Sequence, residues 1–273
     1  MRAASENSLR AAETVLRNSL QTAAVDPMEV AENLFGISDL LRRTPRVRMA
    51  LTDPGRSAED KVAFVSQLLA EAVTAQAESV LAELARGHWS HPDDVAVACE
   101  ELGNEAVFLA AQKVEKLEEV ESQLFAVNEF LGEQRQLRIA LTDLGVGSAH
   151  DRAHFAARLF NEALNPYASR LLRRTVRLSK HGRLTSRLRE LIASAAHRRN
   201  QMVATVTTAS ALSEQQLQRL RTILEKRYAQ GISINTVIDP SVLGGMNIEV
   251  GQDAINATVS SQLAKVKREL ANT

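Results

Sequence analysis

Apolar residues recur every three or four positions along most of this chain and alternate strictly only near its end, so helices should come first and strands last. Leu9, Ala12, Val15, Leu16 and Leu20 make one stripe, predicting a helix over 5–23. Asp26-Pro27 opens a second, carrying Val30, Leu34, Ile37 and Leu40-Leu41. Thr44-Pro45 interrupts it, and a short helix from Arg46 ends in the turn Thr52-Asp53-Pro54-Gly55. Ser57 caps the next, with Val62, Val65, Leu68 and Leu69 on its apolar face, and a further helix over 75–86 turns Val80, Leu81 and Leu84 inward.

The same order returns ninety residues later. Leu34-Phe35 matches Leu124-Phe125, and Arg48-x-Ala50-Leu51-Thr52-Asp53-x-Gly55 matches Arg138-x-Ala140-Leu141-Thr142-Asp143-x-Gly145. After one inserted residue, Ser57-Ala58-x-Asp60 matches Ser148-Ala149-x-Asp151, and Phe64, Leu68 and Glu71 match Phe155, Leu159 and Glu162. Helical periodicity alone does not reproduce a cap, a turn and core positions in one order, so the helical part is a duplication. The copies meet near 92–106, where Pro92-Asp93-Asp94 starts a helix that runs on into the second. The fold class is mainly α: tandem bundles over 1–100 and 101–200, then a small α+β domain over 201–273.

In that last domain Val203–Ala209 reads as a strand, and Ser213-x-x-Gln216 is a capping box for a helix bearing Leu217, Leu220 and Leu224. Ile232, Ile234, Thr236 and Ile238 alternate with polar residues, as do Met246, Ile248 and Val250. Asp239-Pro240 turns the chain between them, and Gly244-Gly245 supplies positive φ or a close approach where the next strand starts. No Lys-Ser or Lys-Thr follows the glycines, which excludes a phosphate loop. Val259, Leu263, Val266 and Leu270 stripe a closing helix.

Strand, Asp239-Pro240-Ser241-Val242-Leu243-Gly244-Gly245, strand, the turn at Gly251 and Ile255-Asn256-Ala257-Thr258 together resemble the C-terminal end of the delta subunit of the F-type ATP synthase, similar to the mitochondrial oligomycin-sensitivity-conferring protein. Asn256 and Thr258 stand where that family usually has Asp and Ser, and both still cap a helix. Asn104–Leu131 and the run from Leu171 to Ile192 resemble the start and end of the family's helical bundle. The resemblance covers about 105–270, and a second bundle in front of it is similar to the actinobacterial arrangement.

Composition narrows the alternatives. Aromatics are 4 % of the 273 residues and the formal net charge is zero, so no global field selects a nucleic acid or an anionic surface. Cys99 is the only cysteine, which excludes an internal disulfide and a thiolate metal cluster, and no apolar run reaches bilayer-spanning length. His150-Asp151-Arg152-Ala153-His154 resembles the H-E-x-x-H zinc motif, but Asp replaces the Glu, and Glu59 and Ala63 stand at the histidine positions of the first copy. It reads as a solvated helix start, and Cys99, among valines and alanines, as a core thiol. No catalytic, cofactor or metal site is expected.

The run Arg158, Arg170, Arg173, Arg174, Arg177, Lys180, Arg183, Arg187, Arg189, Arg198 and Arg199 is the basis of an alternative: a helical adaptor binding nucleic acid through residues 158–199. Stacking aromatics are absent from it, which favours a solvated or protein-binding face.

The resemblance implies a non-catalytic stator subunit. Its partners are the N-terminal helices of the alpha subunits of the catalytic head and the b-type peripheral stalk, with membrane contact only through the complex at the cytoplasmic face. Val107, Ala110, Ala111 and Val114, with Leu184, Leu188 and Leu191, are the candidate helix-docking groove. Asp239, Pro240, Gly244, Gly245, Gly251 and Asn256 form the structural motif.

Overall fold

The computed structural model describes residues 1–21, 25–69, 72–142, 145, 147–179, 182–199, 202–240, 242, 244–250 and 253–258. It divides into two compact units, Met1–Ala196 and His197–Thr273.

Eleven described helices begin in the first unit: α1 Ala3–Ser19, α2 Pro27–Arg43, α3 Pro45–Thr52, α4 Ala58–Leu69, α5 Ala75–Arg86, α6 Asp94–Lys113, α7 Leu117–Glu133, α8 Arg135–Thr142, α9 Ala149–Leu159, α10 Pro166–Leu178 and α11 Leu184–Arg199. The order α2 to α5 returns as α7 to α10, and α2 and α3 start ninety residues before α7 and α8. The duplication extends to individual hydrogen bonds. Arg48 donates to the Leu41 carbonyl and Arg138 to that of Leu131, each at 2.7 Å. The amides of Asp60 and Asp151 donate to the Ser57 and Ser148 hydroxyls, each at 3.1 Å. Thr74 N–H donates to the Asn33 side chain and Asn165 N–H to that of Gln123, each at 2.8 Å.

Separate bundles over 1–100 and 101–200 were the expectation; in the structure the copies share one core. A single buried cluster runs from Leu9 through Leu34, Leu102, Leu124 and Leu172 to Ala195. The reason is α6, which packs against α1, α2, α7 and α10. It is the sixth helix of one copy and the first of the next. That role suits its sequence, because Val95, Ala96, Ala98, Cys99, Leu102, Ala106, Val107, Phe108, Ala110 and Ala111 are buried around most of its circumference. A helix apolar nearly all round is stable only when covered on more than one side.

The second unit holds β1 Met202–Thr208, α12 Glu214–Tyr228, β2 Ile232–Ile238, β3 Gly245–Val250 and β4 Asp253–Thr258 in one sheet of order β2-β1-β3-β4. β1 runs parallel to β2 and antiparallel to β3, with Val206 opposite both Thr236 and Ile248. Ser213 and Gln216 form the capping box that starts α12, which lays Leu220 and Leu224 on Ala204, Val206, Ile232, Ile248 and Val250. Asp239 N–H donates to the Thr208 carbonyl at 2.8 Å, tying the turn to the end of β1. Gly244 and Gly245 take φ of 70° and 80°, the left-handed region where a side chain is strained. Asn256 and Thr258 belong to β4, paired with β3, where helix caps were expected. β4 pairs antiparallel with β3 from Val250 opposite Asp253 to Gly245 opposite Thr258, and this ladder satisfies more backbone groups than a helix start there. Gly251 and the closing stripe lie outside the described residues.

Candidate functional site

Arginine chemistry organises the first unit. Arg174 on α10 is 1 % exposed, a burial a guanidinium tolerates only when its donors are matched. It forks onto Glu100 of α6, with Nε to Oε1 at 2.8 Å and Nη2 to Oε2 at 2.5 Å. It also reaches Asp39 Oδ2 at 3.0 Å and the Phe35 carbonyl at 3.3 Å. These acceptors hold the guanidinium charged, raising its pKa above the usual arginine value against the opposing effect of burial. One turn earlier Arg170 pairs with Glu32, and one turn later Arg177 reaches Asp39 at 2.7 Å. Arg170 and Arg174 both lie over the Phe35 ring, 4.6 and 4.9 Å from its centroid. Removing one member of such a buried pair typically costs about 3–5 kcal/mol, because the other charge is left unmatched.

The basic run is therefore partly internal. Three of its members pair with the first copy, across more than 130 residues of chain. In the sequence Glu100 stands among the second copy's own acids, which can offset the run; Glu32 and Asp39, on the first copy, are the partners that sequence reasoning missed. The signal available was the acid–aromatic spacing of Glu32, Phe35 and Asp39 on one face of α2.

Six of the seven groove candidates lie inside the unit's own core. Val107, Ala111, Leu184 and Leu188 are 0 % exposed, Ala110 4 % and Leu191 8 %. Val114, past the end of α6, is 50 % exposed. Small residues that let a partner helix approach do the same for neighbouring helices of the chain, and those arrive first. The open apolar surface lies elsewhere, in Phe125, Phe130, Ile139, Phe155 and Leu159 on α7, α8 and α9. In the second unit Ile223, Val237 and Ile238 are exposed.

A cleft of about 720 Å³ opens among α1, α2, α6, α10 and α11, with Glu13, Arg42, Glu101, Glu105, Arg187 and Glu190 in its wall. Glu101 lines this cleft and is also exposed to solvent. Desolvation by the surrounding walls, then Glu13, and less strongly Glu190 and Asp94, push its carboxyl up to about 7, opposed by the N-terminal ammonium.

The other chemical candidates resolve into structure. His150 Nε2 lies 3.0 Å from His154 Nε2 on an exposed helix face, and Asp151 is occupied in the α9 capping box. Ser148 N–H donates to that carboxylate and holds it below its usual pKa range. Among the described residues no group of three His, Cys, Asp or Glu could hold a metal ion. Cys99 is fully buried, and desolvation pushes its thiol up to about 12, far from a reactive thiolate. Trp89 donates Nε1–H to the Leu84 carbonyl at 2.9 Å and packs on the core.

A duplicated helical unit cross-braced by buried ion pairs and followed by a small mixed sheet has the architecture of a helical scaffold protein. The family model of the ATP synthase delta (OSCP) subunit matches residues 104–270. The chain is 35 % identical to ATP synthase subunit delta of Beutenbergia cavernae over 99 % of its length and all of that protein. It is also 35 % identical to that of Streptomyces griseus, again over 99 % of this chain and 100 % of the relative. A chain in a Toxoplasma gondii mitochondrial ATP synthase hexamer is similar over 62 % of this chain and 94 % of its own, at 19 % identity and a TM-score of 0.28, too low to bear on the fold. This chain belongs to the ATP synthase delta (OSCP) subunit family. It is a stator component of the synthase, structural and not catalytic, in a peripheral part of the complex. No described helix is long and apolar enough to cross a membrane.

Proposed function

We propose that this subunit ties the catalytic head to the b-type peripheral stalk at the cytoplasmic face of the cell membrane, so that proton-driven rotation is coupled to ATP synthesis. The observation that carries the reading is the match of the whole chain, both helical copies included, to delta subunits. A stator link resists torque, and a core braced by buried ion pairs suits that load. In this reading the first unit holds the N-terminal helices of the alpha subunits, seated on Ile139, Phe155 and Leu159. The second holds the end of the b-type stalk through Ile223, Val237 and Ile238.

The full-length chain tests this in pull-downs against a peptide from the alpha N-terminus and a soluble b-type stalk segment. Phe155→Glu with Leu159→Glu should reduce capture of the alpha peptide at least tenfold and leave the stalk segment bound. Ile223→Glu with Ile238→Glu should do the reverse. Wild-type chain that captures neither, or variants that lose both or neither, would overturn the assignment.

A further inference from the structure

In the second unit the carboxylates are engaged locally while three exposed cations are left unmatched. Glu225 accepts from the Ile232 amide at 3.5 Å, Asp253 from the Tyr228 hydroxyl at 3.3 Å, and Glu249 from the Asn247 side chain at 3.3 Å. Glu214 stands in the first turn of α12, where a carboxylate complements the helix dipole. Arg219, Lys226 and Arg227 are exposed on the same helix, and none of them pairs with a carboxylate among the described residues. Arg227 meets only the Tyr228 ring, 5.9 Å from its centroid.

These cations are grouped around one apolar side chain. Ile223 is 54 % exposed, with Arg219 four residues before it, Lys226 three after and Arg227 four after. Residues three and four apart are neighbours on a helix surface, so the cations frame Ile223 from both ends. Leu220 and Leu224 turn to the sheet, and Arg221, two residues from Ile223, falls on another side of the helix, where it reaches Gln218. Like charges held this close repel one another, and carboxylates brought opposite them relieve the repulsion as the apolar anchor is dried. An anionic bilayer is the poorer match. A helix lying in a membrane surface buries a broad apolar face, and α12 already uses its own, Leu220 and Leu224, against the sheet.

We propose that the stripe of Arg219, Ile223, Lys226 and Arg227 on α12 docks an acidic helix, with carboxylates one turn before and one turn after an apolar residue, and that this is the chemistry of the stalk end. The inference rests on the assignment of the second unit to the b-type stalk and adds the three cations to it. Ile223 contributes burial, while the cations decide which helix is accepted and speed its approach.

The test measures binding of a soluble b-type stalk segment to the full-length chain by surface plasmon resonance, at low and at high salt. Wild-type affinity should fall at least tenfold from low to high salt, mostly through the association rate. At low salt Arg219→Glu should weaken binding at least tenfold, whereas Arg221→Glu, the same change off the stripe, should alter it less than threefold. A stalk segment whose terminal-helix carboxylates are replaced by lysine should bind the wild-type chain at least tenfold more weakly and regain affinity for a chain carrying Arg219→Glu and Lys226→Glu. The salt series and the lysine-bearing segment require no change in this chain, so they decide the matter whatever a variant does to folding. Binding that ignores salt and Arg219 but is lost with Ile223→Glu and Ile238→Glu would overturn the proposal and leave the stalk assignment standing. A segment that does not bind the wild-type chain at all would overturn both. Displacement of the bound segment by phosphatidylserine vesicles would overturn the proposal too, since the cations would then serve a membrane.

Discussion

Glu101 sets the pH dependence at the scale of single residues. Its folded pKa, about 7, lies above the ordinary glutamate value of 4.5, so between these the folded state holds more protons than the unfolded chain. Stability from this group is therefore greatest below pH 4.5 and falls as pH rises through 7. Glu101→Gln, neutral throughout, should flatten that part of the profile and be more stable than wild type at pH 8. Urea unfolding at pH 5 and pH 8 checks this; a variant with the wild-type slope would show that Glu13 and Glu190 do not crowd Glu101 as the cleft geometry has them. None of this was legible in the sequence, because the acids come from α1, α6 and α11 and only packing brings them into one wall.

Among the elements, α6 carries the most. Its duties meet at Gly103, where α6 approaches α2 across the face of Phe35. On an exposed helix Gly→Ala would gain about 1 kcal/mol from helix propensity. At Gly103 the new Cβ falls 2.5 Å from a ring that is 1 % exposed, so the overpacking cost of about 1–3 kcal/mol should outweigh the gain. Gly103→Ala should lower the melting temperature, whereas Gly36→Ala, with nothing within 4 Å of the added Cβ, should not. Equal melting of the two variants would refute the close approach. The helix boundaries themselves were largely readable. Asp26-Pro27, Ser57, Ser148 and Ser213 announce their helices because a cap needs only residues adjacent in sequence. The face each helix buries was less so. Val107 and Leu188 looked like groove residues and are core, since periodicity gives a stripe but not the neighbour that covers it.

At the scale of the whole molecule, the shared core changes what removal of the first copy does. Independent bundles predict that deleting residues 1–90 leaves a sound remainder. The structure predicts otherwise: α6 loses α1 and α2, and Arg174 keeps Glu100 but loses Asp39 and the Phe35 ring. Each large apolar side chain so uncovered forfeits about 1.5–3 kcal/mol. The fragment should melt well below the full chain, bind a hydrophobic dye, and expose Cys99, now fully buried, to a thiol reagent. A fragment with full-length stability and an unreactive Cys99 would restore the two-bundle picture.

Sequence alone determined the local and the repeated features. The helices, their caps, the turn at Asp239-Pro240, the positive-φ glycines and the duplication follow from residues that act within a turn or two, or from copies that align. The motif at Asp239–Gly245 and the bundle segments carried the family resemblance for the same reason. Tertiary structure alone decided that the copies fuse through α6, that Arg174 is buried against Glu100 and Asp39, and that Phe35 is covered while Phe125 is not. Burial and ion pairing depend on which distant segments meet, so two aligned phenylalanines acquire different environments when α10 and α6 close over only one of them.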